Sequence, residues 1–241
     1  MILTYHSIDD SGSVISASPA QFRRHMEILA AKRIRVVPLT EVRDTPGAVA
    51  LTFDDGYENF LTHAAPVLAE YGLPATVFPV SGYCGRDNGW PTQPAFVPRL
   101  PLMGWRELER VVAQGIGIGA HSATHPFLTR VPDEQVREEL SGCRASLEAR
   151  LGVTADTLVY PYGDSDARVR RVAAEVYRLA CGTRLDFLSA GDDCFDLPRI
   201  DAYYVRDPRW FSRLFSRSGR SYVAVRGWIR GLRGGGAGGG T

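Results

Sequence analysis

Short runs of apolar residues alternate with amphipathic stretches along most of the chain. Ile2 to His6, Ala48 to Phe53, Ala75 to Val80, Ile116 to Ala120 and Leu158 to Tyr160 read as buried strands, and Arg35 to Leu39 as a further one. Between them come helices with recognisable ends. Ser18-Pro19-Ala20-Gln21 is a capping box with Pro at the first helical position, and Phe22, Met26 and Leu29 then recur at helical spacing. A helix beyond Asp55-Gly56 runs to Tyr71 and closes at Gly72. Others run from Trp105 to Gln114, from Asp133 to Leu151 before Gly152, and through Val169 to Tyr177, with short strands near Leu179 and Leu197. Strands alternating with helices predict an α/β fold with a parallel sheet, most simply a closed or nearly closed barrel. Chemistry gathers at the C-terminal ends of barrel strands, where His6, Asp54, Asp55 and His121 fall.

Two regions break the alternation. Ser81 to Met103 is rich in Gly and Pro and carries Trp90, so it reads as a functional loop or lid. The C-terminal part changes sign. Residues 1–205 hold 20 Lys/Arg against 26 Asp/Glu, whereas residues 206–241 hold eight Arg against Asp207 alone. The expected organisation is a barrel domain over 1–205, a basic aromatic segment over 206–232 and a Gly-rich tail over 233–241. Trp210, Phe211, Leu214 and Phe215 among the arginines suit a last helix packed on the barrel; an anionic membrane surface is the alternative partner.

Composition adds limits. At 241 residues with 44% hydrophobic content the chain can bury a full core, and a net charge of +1 gives no reason to expect nucleic acid. Cys84, Cys143, Cys181 and Cys194 are far apart and lack zinc-binding or disulfide-framework spacing. Neither a leader pattern nor a membrane-length apolar run is present, so the expected location is cytoplasmic, with peripheral membrane contact through 206–232 as an option.

The candidate chemistry lies in two motifs. His121 and His125 have the spacing of zinc-protease ligands, but Ser122 stands where such enzymes need Glu and Pro126 closes the segment, so a strand-to-loop placement fits better. Phe53-Asp54-Asp55-Gly56 ends a buried strand with two adjacent carboxylates, which is costly unless a cation or proton offsets them. An Asp-Gly turn with a helix cap is the plain alternative. Taken with the two histidines, the carboxylates make an Asp/His/His set with open positions, as in catalytic zinc sites.

Thr52-Phe53-Asp54-Asp55-Gly56, His121-Ser122-Ala123-Thr124-His125-Pro126 and Tyr160-Pro161-Tyr162-Gly163 resemble, in the right order, the first motifs of the polysaccharide deacetylases, the NodB-homology domain of carbohydrate esterase family four. The resemblance extends to about Ile200. It implies a distorted (β/α) barrel, here a single domain of seven strands, and a hydrolase that removes N-acetyl groups from an N-acetylated sugar or polysaccharide. By the same resemblance Asp54 is the general base, and Asp55, His121 and His125 hold a divalent metal, most readily Zn2+, with Co2+ or Ni2+ as alternatives. Pro161 and Tyr162 would meet the substrate, with a backbone N–H near Tyr162 at the oxyanion.

The chain departs from the family pattern twice. The common general acid is a His near the C-terminus, but no His follows His125. Thr4-Tyr5-His6-Ser7 resembles instead the circularly permuted branch, in which an N-terminal Tyr-His supplies the acid, so His6 takes that role or is simply a hydrogen-bonded strand-end residue. Val159-Tyr160 stands where the third motif carries Arg; Arg199 could supply that guanidinium to Asp54, or form a surface ion pair. Two other functions remain open: a deformylase or deacetylase of a lipid-linked aminosugar at the cytoplasmic membrane face, and a catalytically silent carbohydrate-binding relic.

Overall fold

The computed structural model describes residues 1–234, with side chains through Ile229. The tail beyond Gly234, most of the Gly-rich end expected at 233–241, lies outside the described residues. The strands are β1 (Ile2–Tyr5), β2 (Ser7–Ile8), β3 (Ser16–Ala17), β4 (Ala50–Asp55), β5 (Thr76–Pro79), β6 (Gly117–Ile118), β7 (Thr157–Val159), β8 (Leu179–Cys181) and β9 (Ile200–Asp201). The α-helices are α1 (Pro19–Ala31), α2 (Ala65–Tyr71), α3 (Trp105–Ala113), α4 (Asp133–Leu151), α5 (Ala167–Val176), α6 (Pro208–Arg213) and α7 (Arg217–Gly234).

Seven of the strands make a ring. Five pair in the order β6-β5-β4-β1-β9, all parallel, and β7 pairs with β8. Single parallel bridges join the two sets, Ala120 with Leu158 and Cys181 with Leu197. Residues 197–201 therefore close the ring, pairing with β8 on one side and β1 on the other. This is the distorted barrel of seven strands that the sequence led us to expect.

The interior explains why the strands are apolar on both faces. Alternate residues Ile2, Ala50, Phe78, Val159, Cys181 and Leu197 share one buried cluster inside the ring. Their neighbours Leu3, Tyr5, Leu51 and Phe53 pack outward against α1 and α2. Gly119 is required by this filling, because a Cβ there would lie 2.2 Å from the Phe78 ring.

Two elements differ from their sequence reading. Arg35 to Leu39 contributes only the Val36–Val49 bridge, because Pro38 has no N–H for a ladder and Leu39 opens a 3-10 turn. The helix before Gly72 is broken: residues Phe60–Ala64 form a π turn, with Ala65 N–H donating to Phe60 O, before α2 starts with Pro66 in its first turn. A Pro inside a continuous helix would clash with the carbonyl four residues back, and the wider turn relieves this.

The segment after residue 205 sits against the first helix. Phe211, Leu214 and Val223 are buried, and the Phe211 ring stacks on His25 at 3.9 Å. Val225 and Trp228 point outward. His25 itself is fully buried. Its Nε2–H donates to Arg206 O at 3.3 Å, so Nδ1 must accept from the Tyr5 hydroxyl at 3.0 Å. Burial is the main reason its pKa falls to about 4, from an ordinary 6.5.

This neutral His25 predicts an acid-sensitive joint between α1, β1 and the C-terminal segment. The unfolded chain takes up this proton near pH 6.5 and the folded chain only near pH 4, so stability falls across that window by about 3 kcal/mol. Urea unfolding at pH 7 and at pH 4.5 should show the wild type losing about 2 kcal/mol more than His25→Phe. Equal losses would assign the acid sensitivity to other groups.

Candidate active site

Parallel register brings the candidate residues to one end of the ring. Tyr5 pairs with Phe53, Asp54 with Phe78 and Asp55 with Pro79, so His6 and the two carboxylates stand at the C-terminal rim. His121 follows the β6 end, Pro161 and Tyr162 follow β7, and Arg199 precedes β9. His6, Asp54, Asp55, His121, His125, Tyr162 and Arg199 line one cavity of about 180 Å3. Pro161 is buried in the turn that presents Tyr162.

Asp54 and Asp55 are both buried but face different partners. Arg199, itself buried, donates to Asp54 through two parallel bonds of 2.8 Å, and its Nε–H donates to Gly182 O at 3.0 Å. This is the bidentate geometry in which arginine matches a carboxylate best. His6 Nε2 lies 3.7 Å from the Asp54 carboxylate, on the more open side of the cavity. Burial pushes the Asp54 carboxyl up, but Arg199 and His6 outweigh it and hold the pKa below its ordinary value.

Asp55 Oδ1 lies 3.3 Å from His121 Nε2 and 3.5 Å from His125 Nε2, and the two imidazole nitrogens are 3.2 Å apart. His121 Nδ1–H donates to Val159 O at 2.7 Å, which aims the lone pair of Nε2 at Asp55. Three buried acceptor atoms thus converge and would repel one another without a shared positive charge. Burial raises the Asp55 pKa, but bonds from His121 and His125 hold it well below the ordinary value. Burial lowers both histidines; the bond to Asp55 and the charge of Asp54 bring His121 back above its ordinary value, while His125 stays at about 4. Their common carboxylate thus draws the two imidazoles apart, His121 upward and His125 downward. A divalent cation would find three ligand atoms within 4.8 Å of one another, so the set fits a metal.

Backbone strain is concentrated here. Asp55, Ser122, His125 and Tyr162 all have positive φ, between 59° and 68°, and Arg33 is the other non-glycine residue so placed among the described residues. Such conformations persist only where surrounding contacts over-determine them. At Asp55 the strand turns sharply into Gly56, whose φ is 78° and where a Cβ would lie 3.0 Å from Pro79 Cβ. In the His121–His125 loop, Ser122 Oγ accepts from His125 N–H, and the buried Glu139 carboxylate accepts from Ala123 and Thr124 N–H at 2.8 Å.

The lid completes the site. The Trp90 ring stacks on His125 at 4.1 Å and its Nε1–H donates to the Tyr162 hydroxyl at 3.0 Å; Thr92 donates to His125 O at 2.8 Å. The Tyr162 ring meets His125 edge-on at 4.6 Å. Sequence reading singled out Trp90 as part of a lid without finding its target, and Glu139 and Thr92 not at all. Glu139 stands beside Glu138 in a charged helix, and nothing local distinguishes it from a solvated residue.

Comparison with known proteins agrees with this geometry. The family model described as polysaccharide deacetylase matches residues 41–177. The Bacillus subtilis protein YxkH is 23% identical over 83% of this chain and 70% of its own length. A Bradyrhizobium chitooligosaccharide deacetylase is 31% identical over 53% of this chain, which spans about half (54%) of that relative. Among solved structures, IcaB from Ammonifex degensii superposes with a TM-score of 0.75 at 24% identity, covering 88% of this chain and 96% of that one, a likeness of fold. With more than half of the chain matched and the Asp-Asp and His-x-x-x-His motifs converging at the barrel rim, the chain belongs to the polysaccharide deacetylase family, hydrolases of carbon–nitrogen bonds other than peptide bonds.

Proposed function

We propose that the protein is a metal-dependent deacetylase of an N-acetylated sugar, with Asp54 as general base and His6 as general acid. The observation that carries this reading is the split of the two carboxylates: Asp55 shares its oxygen with His121 and His125, whereas Asp54 is turned away from them and clamped by Arg199. A cation held by Asp55, His121 and His125, most suitably Zn2+, would polarise the acetamide carbonyl and acidify a water beside it.

The chain's own residues supply the proton transfers. Asp54, kept ionised by Arg199, takes the proton of the attacking water as its oxygen bonds to the carbonyl carbon. A backbone N–H near Tyr162 would meet the oxygen that becomes negative. His6, beside Asp54 with its side chain 23% exposed, gives a proton to the nitrogen as the carbon–nitrogen bond breaks. Acetate and a free amine result. The full complement of Asp54, Asp55, His121 and His125 weighs against a silent carbohydrate-binding relic.

The two histidine ligands are oriented by different forces. His121 is fixed by a hydrogen bond to Val159 O, whereas His125 Nδ1 is buried with no hydrogen-bond partner among the described residues. Stacking by Trp90 and the edge of Tyr162 does that work for His125. Trp90 is thus a positioning residue for the metal.

Four outcomes are expected. Chelation should abolish acetate release from N-acetylated sugars and Zn2+ or Co2+ should restore it; Asp54→Asn should keep its metal and lose at least a hundredfold in turnover, whereas His125→Ala should lose both. Full turnover in a rigorously metal-free sample would refute the mechanism. Trp90→Ala should weaken zinc binding in a chelator competition by about ten- to a hundredfold, with Trp90→Phe close to wild type, and an unchanged affinity in Trp90→Ala would remove its positioning role. His6→Ala should cut amide hydrolysis by about a hundred- to ten-thousandfold but a nitrophenyl acetate ester far less, since that leaving group needs no proton. Equal losses on both substrates, with metal retained, would deny His6 the acid role.

A further inference from the structure

The cavity is divided by chemistry. Its floor is charged, with Asp54, Asp55, His121, His125 and Arg199, while its mouth is apolar. Val14 and Ile15 form one side of the mouth, and Pro94, Phe96 and Val97 from the lid form the other. Phe96 is 75% exposed and Val14 45% exposed, and no ring of a described residue stacks on Phe96. Gln93, Thr183 and Tyr162 are polar side chains that line the same cavity.

Val97 is buried and Ile15 packs on the cluster of Tyr57 and Trp90, so Phe96 and Val14 are the exposed pair, and both loops that carry them are anchored. Asn88, buried, donates to the Tyr57 hydroxyl and to Pro98 O at 3.0 Å and accepts from Leu100 N–H at 2.8 Å. Met103 N–H donates to Gly56 O at 2.9 Å, tying the lid to the turn that follows Asp55. Across the mouth, Asp9 accepts from Ser11 N–H and Ser16 Oγ, and Arg206 donates to Ser13 O at 2.7 Å. Exposed apolar groups on anchored loops, continuous with a reaction site, are characteristic of ligand contacts. A chain of sugars passing this mouth would bring hydroxyls that need partners when dehydrated, and the walls offer few.

We infer that the preferred substrate joins its acetamido sugar to an apolar group, an alkyl or aryl aglycone seated between Phe96 and Val14, rather than to further unsubstituted sugars. This inference rests on the deacetylase reading and adds the class of substrate. The test compares kcat/KM for acetate release from octyl and methyl N-acetyl-β-glucosaminides, the octyl glycoside below its micellar concentration, and from chitotetraose, all with the zinc-loaded enzyme. The octyl glycoside should exceed the methyl glycoside and chitotetraose by at least tenfold, as burial of a few methylenes requires. Phe96→Ser and Val14→Ser should each bring the octyl-to-methyl ratio toward one. A wild-type ratio near one, a preference for chitotetraose, or a ratio unchanged in both variants would overturn the inference while leaving the deacetylase reading intact. Acetate release from none of the three would overturn both.

Discussion

The structure is organised around two carboxylates placed side by side at the end of a buried strand. Asp54 and Asp55 leave the ring between apolar residues, where an unpaired charge would be strongly destabilising. The left-handed turn at Asp55 aims its carboxylate differently from that of Asp54, and each finds its own partners. The fold answers with two separate sources of positive charge. Arg199 comes from the segment that closes the barrel and meets Asp54 from within. The His121–His125 loop meets Asp55 from the neighbouring strand end and leaves room for a cation. The division of labour between the two carboxylates follows from this separation. Removing Arg199 would leave Asp54 buried and uncompensated, so its contribution reaches beyond orientation.

Precision at the rim is maintained by contacts from outside it. Four non-glycine residues at or beside the site hold left-handed backbone conformations, which cost energy singly and must be enforced by neighbours. Glu139 enforces the His121–His125 loop from α4, collecting the N–H groups that the loop cannot pair internally. The lid enforces it from above through Trp90 and Thr92. A lid that stacks directly on a candidate metal ligand couples the order of the loop to the order of the metal site. It also leaves exposed apolar side chains, Phe96 and Val14, beside a charged floor.

The C-terminal segment is tied into the same framework. Arg206 reaches the loop carrying Val14, and Phe211 covers His25, which in turn accepts from Tyr5 next to His6. The candidate general acid therefore sits on a strand end supported from beneath by helix α1 and by α6. No described helix is long and apolar enough to cross a membrane, and the basic character after residue 205 is spent partly on rings: Arg206, Arg213 and Arg226 lie over Tyr203, Trp210 and Tyr222.

The sequence by itself determined the periodic elements and the cluster of strand-end residues. Parallel strands buried on both faces must be continuously apolar, so Asp54-Asp55 after Ala50-Leu51-Thr52-Phe53 stood out as charge where none is tolerated without compensation. The capping box at Ser18 and the left-handed stops at Gly72 and Gly152 are local interactions, and each is found where its residues predicted it. Arg199 was named in the sequence but left between two roles, because pairing across 145 residues is decided only by ring closure. Tertiary structure alone revealed Glu139, Thr92 and the stacking of Trp90 on His125. Their partners come from other elements, and neither spacing nor composition records which loop will fold over which strand end.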